Sequence, residues 1–264
     1  MRWPLLLAAM ACLGCQTGTL IDPTEANSDM SPEILRDNLK SISDSLIQRR
    51  IKGEITGEQY RELIAKAAAE LVEEMDLEHV EPGEAWQYGE VLRAARNWEV
   101  AEKLLQIAVE HAKTKKSEDR RVNDTLRLAQ VQASLGKVQA GIRTASEVLD
   151  AKPSDSAPIL LAVLYEIVPA ARGREHDAEL AELLEASIQK HLGATVETST
   201  QEGQAFMAAR QHHVSGAYVQ LANLYDAAGM SSAAAEAREK ARLSSSDFTE
   251  FLRAELAKPV TKRL

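Results

Sequence analysis

Four five-residue segments set the frame for this chain: Tyr88-Gly89-Glu90-Val91-Leu92, Leu128-Ala129-Gln130-Val131-Gln132, Leu161-Ala162-Val163-Leu164-Tyr165 and Leu221-Ala222-Asn223-Leu224-Tyr225. Each has a large residue, a small one, and a large apolar one two places on. On a helix the small residue opens a gap into which a second helix can press its side chains. Recurrence of such a unit points to stacked helical pairs, each burying the apolar face of the next. The partners of the first copy follow at the spacing of a paired helix: Ala101, Leu105 and Ala108. Gly136 and Gly229 fall where a tight turn between two helices would need them, and Pro153 falls just after the second pair.

The remaining composition agrees. The chain is rich in Ala, Leu, Glu, Arg, Lys and Gln, with aromatics at 4%. These straight-chain helix formers favour an all-α fold over a β fold. The net charge of −9 comes without a basic stripe, which excludes the electrostatic footprint of a nucleic-acid binder.

Residues 1–14 read as a leader. Arg2 supplies a positive start, and Trp3 to Leu13 is an apolar run too short to span a bilayer as a stable helix. Gly14 precedes Cys15, and Cys12-Leu13-Gly14-Cys15 resembles the lipobox of bacterial lipoproteins. Cys12, after Ala9-Met10-Ala11, is a second candidate and leaves a shorter leader. The resemblance implies cleavage after residue 14, lipidation of Cys15, and acyl chains that hold the protein to a lipid bilayer on the periplasmic side of the cell envelope. Gln16, where an Asp retains such proteins in the inner membrane of enterobacteria, favours the outer membrane. Residues 15–30 are polar and carry Gly, Pro, Asn and Ser, the composition of a tether. Cys12 and Cys15 are the only cysteines in the chain, so its body contains no disulfide or thiolate metal site.

Residues 31–80 read as an N-terminal helix pair. Ser31-Pro32 starts a helix with Ile34, Leu35, Leu39, Ile42, Leu46 and Ile47 on one stripe. Gly53 ends it. Thr56-Gly57-Glu58-Gln59 is a capping box, followed by the stripe Tyr60, Leu63, Ile64, Ala67, Leu71, Val72 and Met75. Lys52 to Tyr60 resembles the short turn of SHOCT-type oligomerisation motifs, which leaves self-association open beside plain packing on the following repeats. Residues 246–264, with Phe248, Phe251, Leu252 and Leu256, read as a capping helix and tail.

The four segments, with their following small residues, resemble the tetratricopeptide repeat, whose period is about 34 residues. The likeness covers residues 81–245. It implies an α-solenoid of helical hairpins preceded by the N-terminal pair. The third copy is interrupted by a longer connection, Ala170 to Asp177, and a charged insertion, Lys113 to Asp119, separates the first two. The run Ala157 to Val168 is too short for a membrane span, and Glu166 and Pro169 break it.

By the register of that family, Trp86, Glu90, Arg93, Asn123, Gln130, Glu166, Asn223 and Asp226 would line a groove for a protein or peptide partner. Trp86 can equally serve only to cover the preceding helix pair, and Trp98 reads as a packing residue. No nucleophile elbow, phosphate-cradling loop or His-Glu-x-x-His motif occurs. The histidines His79, His111, His176, His191, His212 and His213 are scattered but for the last two, which as helix neighbours point apart. The expectation is a non-catalytic, membrane-tethered scaffold without metal or cofactor. The alternatives are a self-associating structural protein or an accessory subunit of an enzyme acting on envelope polymers.

Overall fold

The computed structural model describes residues 30–151 and 159–256, the side chains of 202 and 246–256 excepted. The expected leader, Cys15, the expected tether as far as residue 29, and Pro153 lie outside the described residues, as do the side chains of Phe248 and Phe251. The described chain is all α and contains no strand. It is an α-solenoid of successive helical pairs.

The first pair is α1 (Pro32–Ile51) and α2 (Gly57–Val72). Ser31 Oγ accepts from the Ile34 amide, and Pro32 occupies the first turn, where no amide donor is needed. At α2 the capping box is complete: Thr56 Oγ1 accepts from the Gln59 amide at 3.1 Å, and Gln59 Oε1 from the Thr56 amide at 2.8 Å. Leu35, Leu39 and Leu46 are buried on α1, whereas Ile34 at the edge of the stripe is half exposed. On α2 the fully buried position is Ala68 rather than Ala67.

Three further pairs follow: α3 (Ala85–Ala94) with α4 (Trp98–Thr114), α5 (Glu118–Ser134) with α6 (Val138–Ser146), and α10 (Gln201–Ala227) with α11 (Ser231–Leu256). Between the last two, α7 (Ile159–Ala162), a π turn (Val163–Ile167) and α8 (Val168–Ala171) form one continuous stretch that packs on α9 (Asp177–Gly193). The π turn has a local cause. Pro169 has no amide to give the carbonyl one turn back, and the ladder widens so that Val168 N–H bonds to Val163 C=O.

The repeated segments occupy one structural role. All four lie on the first helix of a pair. α1 contacts α3, α3 contacts α5, and α5 contacts the stretch from α7 to α8, so these first helices form a front layer. The N-terminal pair therefore stacks on α3 as another hairpin of the same kind. α5 is the seam between two cores. Leu128 and Val131 face the cluster that includes Leu35, Leu92 and Leu105, while Val122, Leu126 and Ala129 face the one holding Leu160, Leu184 and Leu221. Each such fully buried leucine contributes roughly 1.5–3 kcal/mol.

The small residues sit where helices meet most closely. A Cβ added at Gly89 would lie 2.9 Å from the Leu105 side chain of α4. Ala101, Leu105 and Ala108 are all buried in the core beside it. Gly141 of α6 meets α5 closer still, 2.7 Å from the Ala129 carbonyl oxygen.

One turn geometry recurs. The amides of Glu54, Asn97, Ser117, Lys137 and Met230 each bond to the carbonyl five residues back, with a left-handed residue just before the donor. This is the Schellman closure of a helix. Gly53, Gly136 and Gly229 fill the left-handed position in three turns, but Arg96 (φ 60°) and Lys116 (φ 54°) fill it in the other two. The charged stretch Lys113 to Asp119 is thus the last turn of α4, this closure and the first turn of α5, not an added insertion. The long connection after α8 has its own anchor: Arg174 Nη1 donates to the Ala133 carbonyl at 2.8 Å, at the C-terminus of α5 where cations are favoured.

Of the apolar run that starts at 157, the part described, from Ile159, is core: Ile159, Leu160, Val163, Leu164 and Ile167 are buried. Among the described residues no helix is long and apolar enough to cross a membrane. The stretch from 246, expected as a capping helix, continues α11 to Leu256 without a break.

A polar network across the front layer

The front-layer helices bring together residues far apart in sequence. Arg93 of α3 donates through Nη1 to Gln130 Oε1 of α5 at 2.6 Å and to Glu166 Oε2 of the π turn at 2.9 Å. Glu90, one turn earlier on α3, accepts from Arg127 Nη2 at 2.9 Å. Its other oxygen stands 3.5 Å from Nε of Arg36 on α1. Four of the expected groove residues, Glu90, Arg93, Gln130 and Glu166, therefore make side-chain bonds between front-layer helices, in two adjacent clusters: Arg93 with Gln130 and Glu166, and Glu90 with Arg127 and Arg36.

The Glu90 cluster is anchored by Asp124, whose side chain is fully buried. Arg120, one turn before it on α5, forms a two-pronged bond, Nε to Oδ2 at 2.9 Å and Nη2 to Oδ1 at 2.5 Å. Arg127, one turn after, approaches Oδ1 at 3.5 Å. Burial pushes the Arg127 guanidinium below its usual range, and the Glu90 carboxylate pulls it back. A carboxylate so buried is tolerable only because two guanidinium groups answer it.

Trp86 lies at the N-terminal end of α3, half-buried against the core beneath. The Arg120 guanidinium carbon sits 3.6 Å from its ring centre, and that of Arg36 4.9 Å. Both are cation–π contacts. Trp86 thus both covers the preceding pair and joins the network. Trp98 is half-buried at the start of α4 and packs on the same core.

The other expected positions fall outside. Asn123 is half-buried on α5 and takes no part in the bonds described. Asn223 and Asp226 are exposed on α10, and Asp226 bonds Arg238 of α11 within its own hairpin. Arg36, Arg120, Asp124 and Arg127 are network members that the register did not select. Arg120, Asp124 and Arg127 were legible as one face of a helix at spacings of four and three, but a charged stripe reads by default as a solvated one. Arg36 was hidden because packing of the N-terminal pair on the repeats, one of the two readings the sequence left open, fixes no register between α1 and α3.

At the other end, His191 of α9 is buried between Phe206 and His213 of α10, at ring-centre distances of 4.8 and 6.2 Å. Its Nε2 is buried without a hydrogen-bond partner. Burial first, then His213 and Arg210, lower its pKa to about 4. Among the described residues no cluster of three or more His, Cys, Asp or Glu could hold a metal ion.

No family model and no curated protein matches the chain. Among solved structures, it is similar to a Podosopora anserina kinesin light chain with nearly identical TPR-like repeats, at 19% identity and a TM-score of 0.43, over 81% of this chain and 98% of that one.

Proposed function

We propose that this protein is a non-catalytic scaffold that docks a protein or peptide partner on the front layer of its helical pairs. Stacked pairs present long faces built from many successive helices, and such faces suit extended partners. The observation that supports the reading is the pair of side-chain clusters on the front layer, Arg93 with Gln130 and Glu166, and Glu90 with Arg127 and Arg36, with Trp86 beside the second. Aromatic and arginine side chains held at fixed positions are the anchors on which protein interfaces depend. A lipid on Cys15 would fix the scaffold to the periplasmic side of the envelope, at the outer membrane, with residues 16–30 as its tether.

The test is capture from an envelope extract by the full lipid-bearing chain and by its Trp86→Ala, Arg93→Ala twin, both checked for native helicity. Loss of a specific partner from the twin is the expected result. Equal capture by both would move the docking site off the front layer. In the same strain, Cys15→Ser should release the protein from the membrane fraction; retention would refute the lipid anchor.

A further inference from the structure

Trp86 and Glu90 stand one turn apart on α3 and approach the same guanidinium, that of Arg36. An aromatic face beside a carboxylate is a receptor for a planar cation. The ring attracts the charge and the carboxylate accepts its N–H groups. Two arginines use this ring, and they are held very differently. Arg120 is fixed by its two-pronged bond to the buried Asp124. Arg36 is not. Its Nε is 3.5 Å from Glu90 Oε2, its Nη1 is 3.9 Å from Asp37, and a third of its side chain is exposed. Glu90 Oε2 meanwhile is buried with no hydrogen bond. Arg36 fills the receptor without satisfying it.

We infer that Trp86 and Glu90 form a recognition site for an arginine side chain of the partner, and that Arg36 is an internal stand-in displaced when the partner docks. This rests on the front layer being the docking face. Displacement needs only the Arg36 side chain to swing outward, since α1 is held by Leu35 and Leu39. A guanidinium fits better than an ammonium because it offers a flat face to the ring and paired donors to the carboxylate. The chain's net charge of −9 also draws cationic partners toward it.

The test is fluorescence anisotropy of a labelled Gly-Ser-Gly-Arg-Gly-Ser-Gly peptide, with a citrulline peptide as its neutral twin, on the full chain at low salt. Arg36→Ala should bind the arginine peptide about fivefold or more tighter than the wild type, because the stand-in is gone. Adding Trp86→Ala or Glu90→Gln to Arg36→Ala should remove that gain, and the citrulline peptide should bind about tenfold more weakly. Should Arg36→Ala lose its helicity, Arg36→Gln keeps the stem and gives the same reading. No gain in either variant, or equal binding of the two peptides, overturns the inference. If instead the citrulline peptide binds equally and is lost on Trp86→Ala, Arg93→Ala, the docking face stands and the arginine site falls.

Discussion

Arg93 and Glu166, 73 residues apart, meet at 2.9 Å on the front layer, and the same Arg93 nitrogen reaches Gln130 on the helix between them. One side chain thus ties α3 to α5 and to the π turn. The turn that Pro169 imposes belongs to the stretch that offers Glu166 to Arg93.

Arg93→Ala should lower stability by about 1 kcal/mol in chemical denaturation. The figure is held down because the Glu166 side chain is 39% exposed and screened by water. A double-mutant cycle with Glu166→Ala should give a coupling under about 1 kcal/mol. A coupling of several kcal/mol would mean that the pair is shielded from solvent in a way this geometry does not provide.

Three glycines within helices should respond with opposite signs. Gly141→Ala places a methyl 2.7 Å from the Ala129 carbonyl oxygen, which belongs to backbone and cannot give way cheaply. It should cost about 1–3 kcal/mol. Gly89→Ala presses on the Leu105 side chain and should cost somewhat less, since that side chain can shift. Gly216 on α10 faces open space, so Gly216→Ala should stabilise by up to about 1 kcal/mol. Thermal melts of the three variants check the order.

Lys116 closes α4 in the left-handed conformation that Gly136 adopts after α5. Lys116→Gly should therefore raise stability by about 0.5–1 kcal/mol, and Gly136→Ala should lower it by about 1 kcal/mol. Denaturation midpoints that moved the same way in both would contradict the shared turn geometry.

His191 makes stability depend on pH. In the unfolded chain it takes up a proton near pH 6.5, but in the fold only near pH 4. Between these values the unfolded state binds more protons, so stability is fully present above about pH 6.5 and is lost as pH falls toward 4. The loss should be on the order of 2 kcal/mol. His191→Leu should flatten that slope. An unchanged slope between pH 7 and 4 would assign the dependence to other groups, His213 first, whose pKa is also lowered by burial.

The sequence by itself determined the helical pairs. The large–small–large segments, the capping box at Thr56 and Gln59, and the turns at Gly53, Gly136 and Gly229 are local signals. Each acts through contacts within a few residues or between adjacent helices. The turns at Arg96 and Lys116 were not legible, because a non-glycine residue there is chosen against its own preference and held by the packing around it. The network was half legible. Register selected Glu90, Arg93, Gln130 and Glu166, which do bond across the front layer in two neighbouring clusters, but also Asn223 and Asp226, which sit on a hairpin that α9 separates from the others. Arg36 and Asp124 escaped because their roles depend on which helix lies beside which. Only the stacking of α1 on α3 puts Arg36 over Trp86, and only burial between α5's neighbours turns Asp124 from a surface charge into an anchor. Such relations cross dozens of residues and follow from packed volume, so no local pattern in the chain carries them.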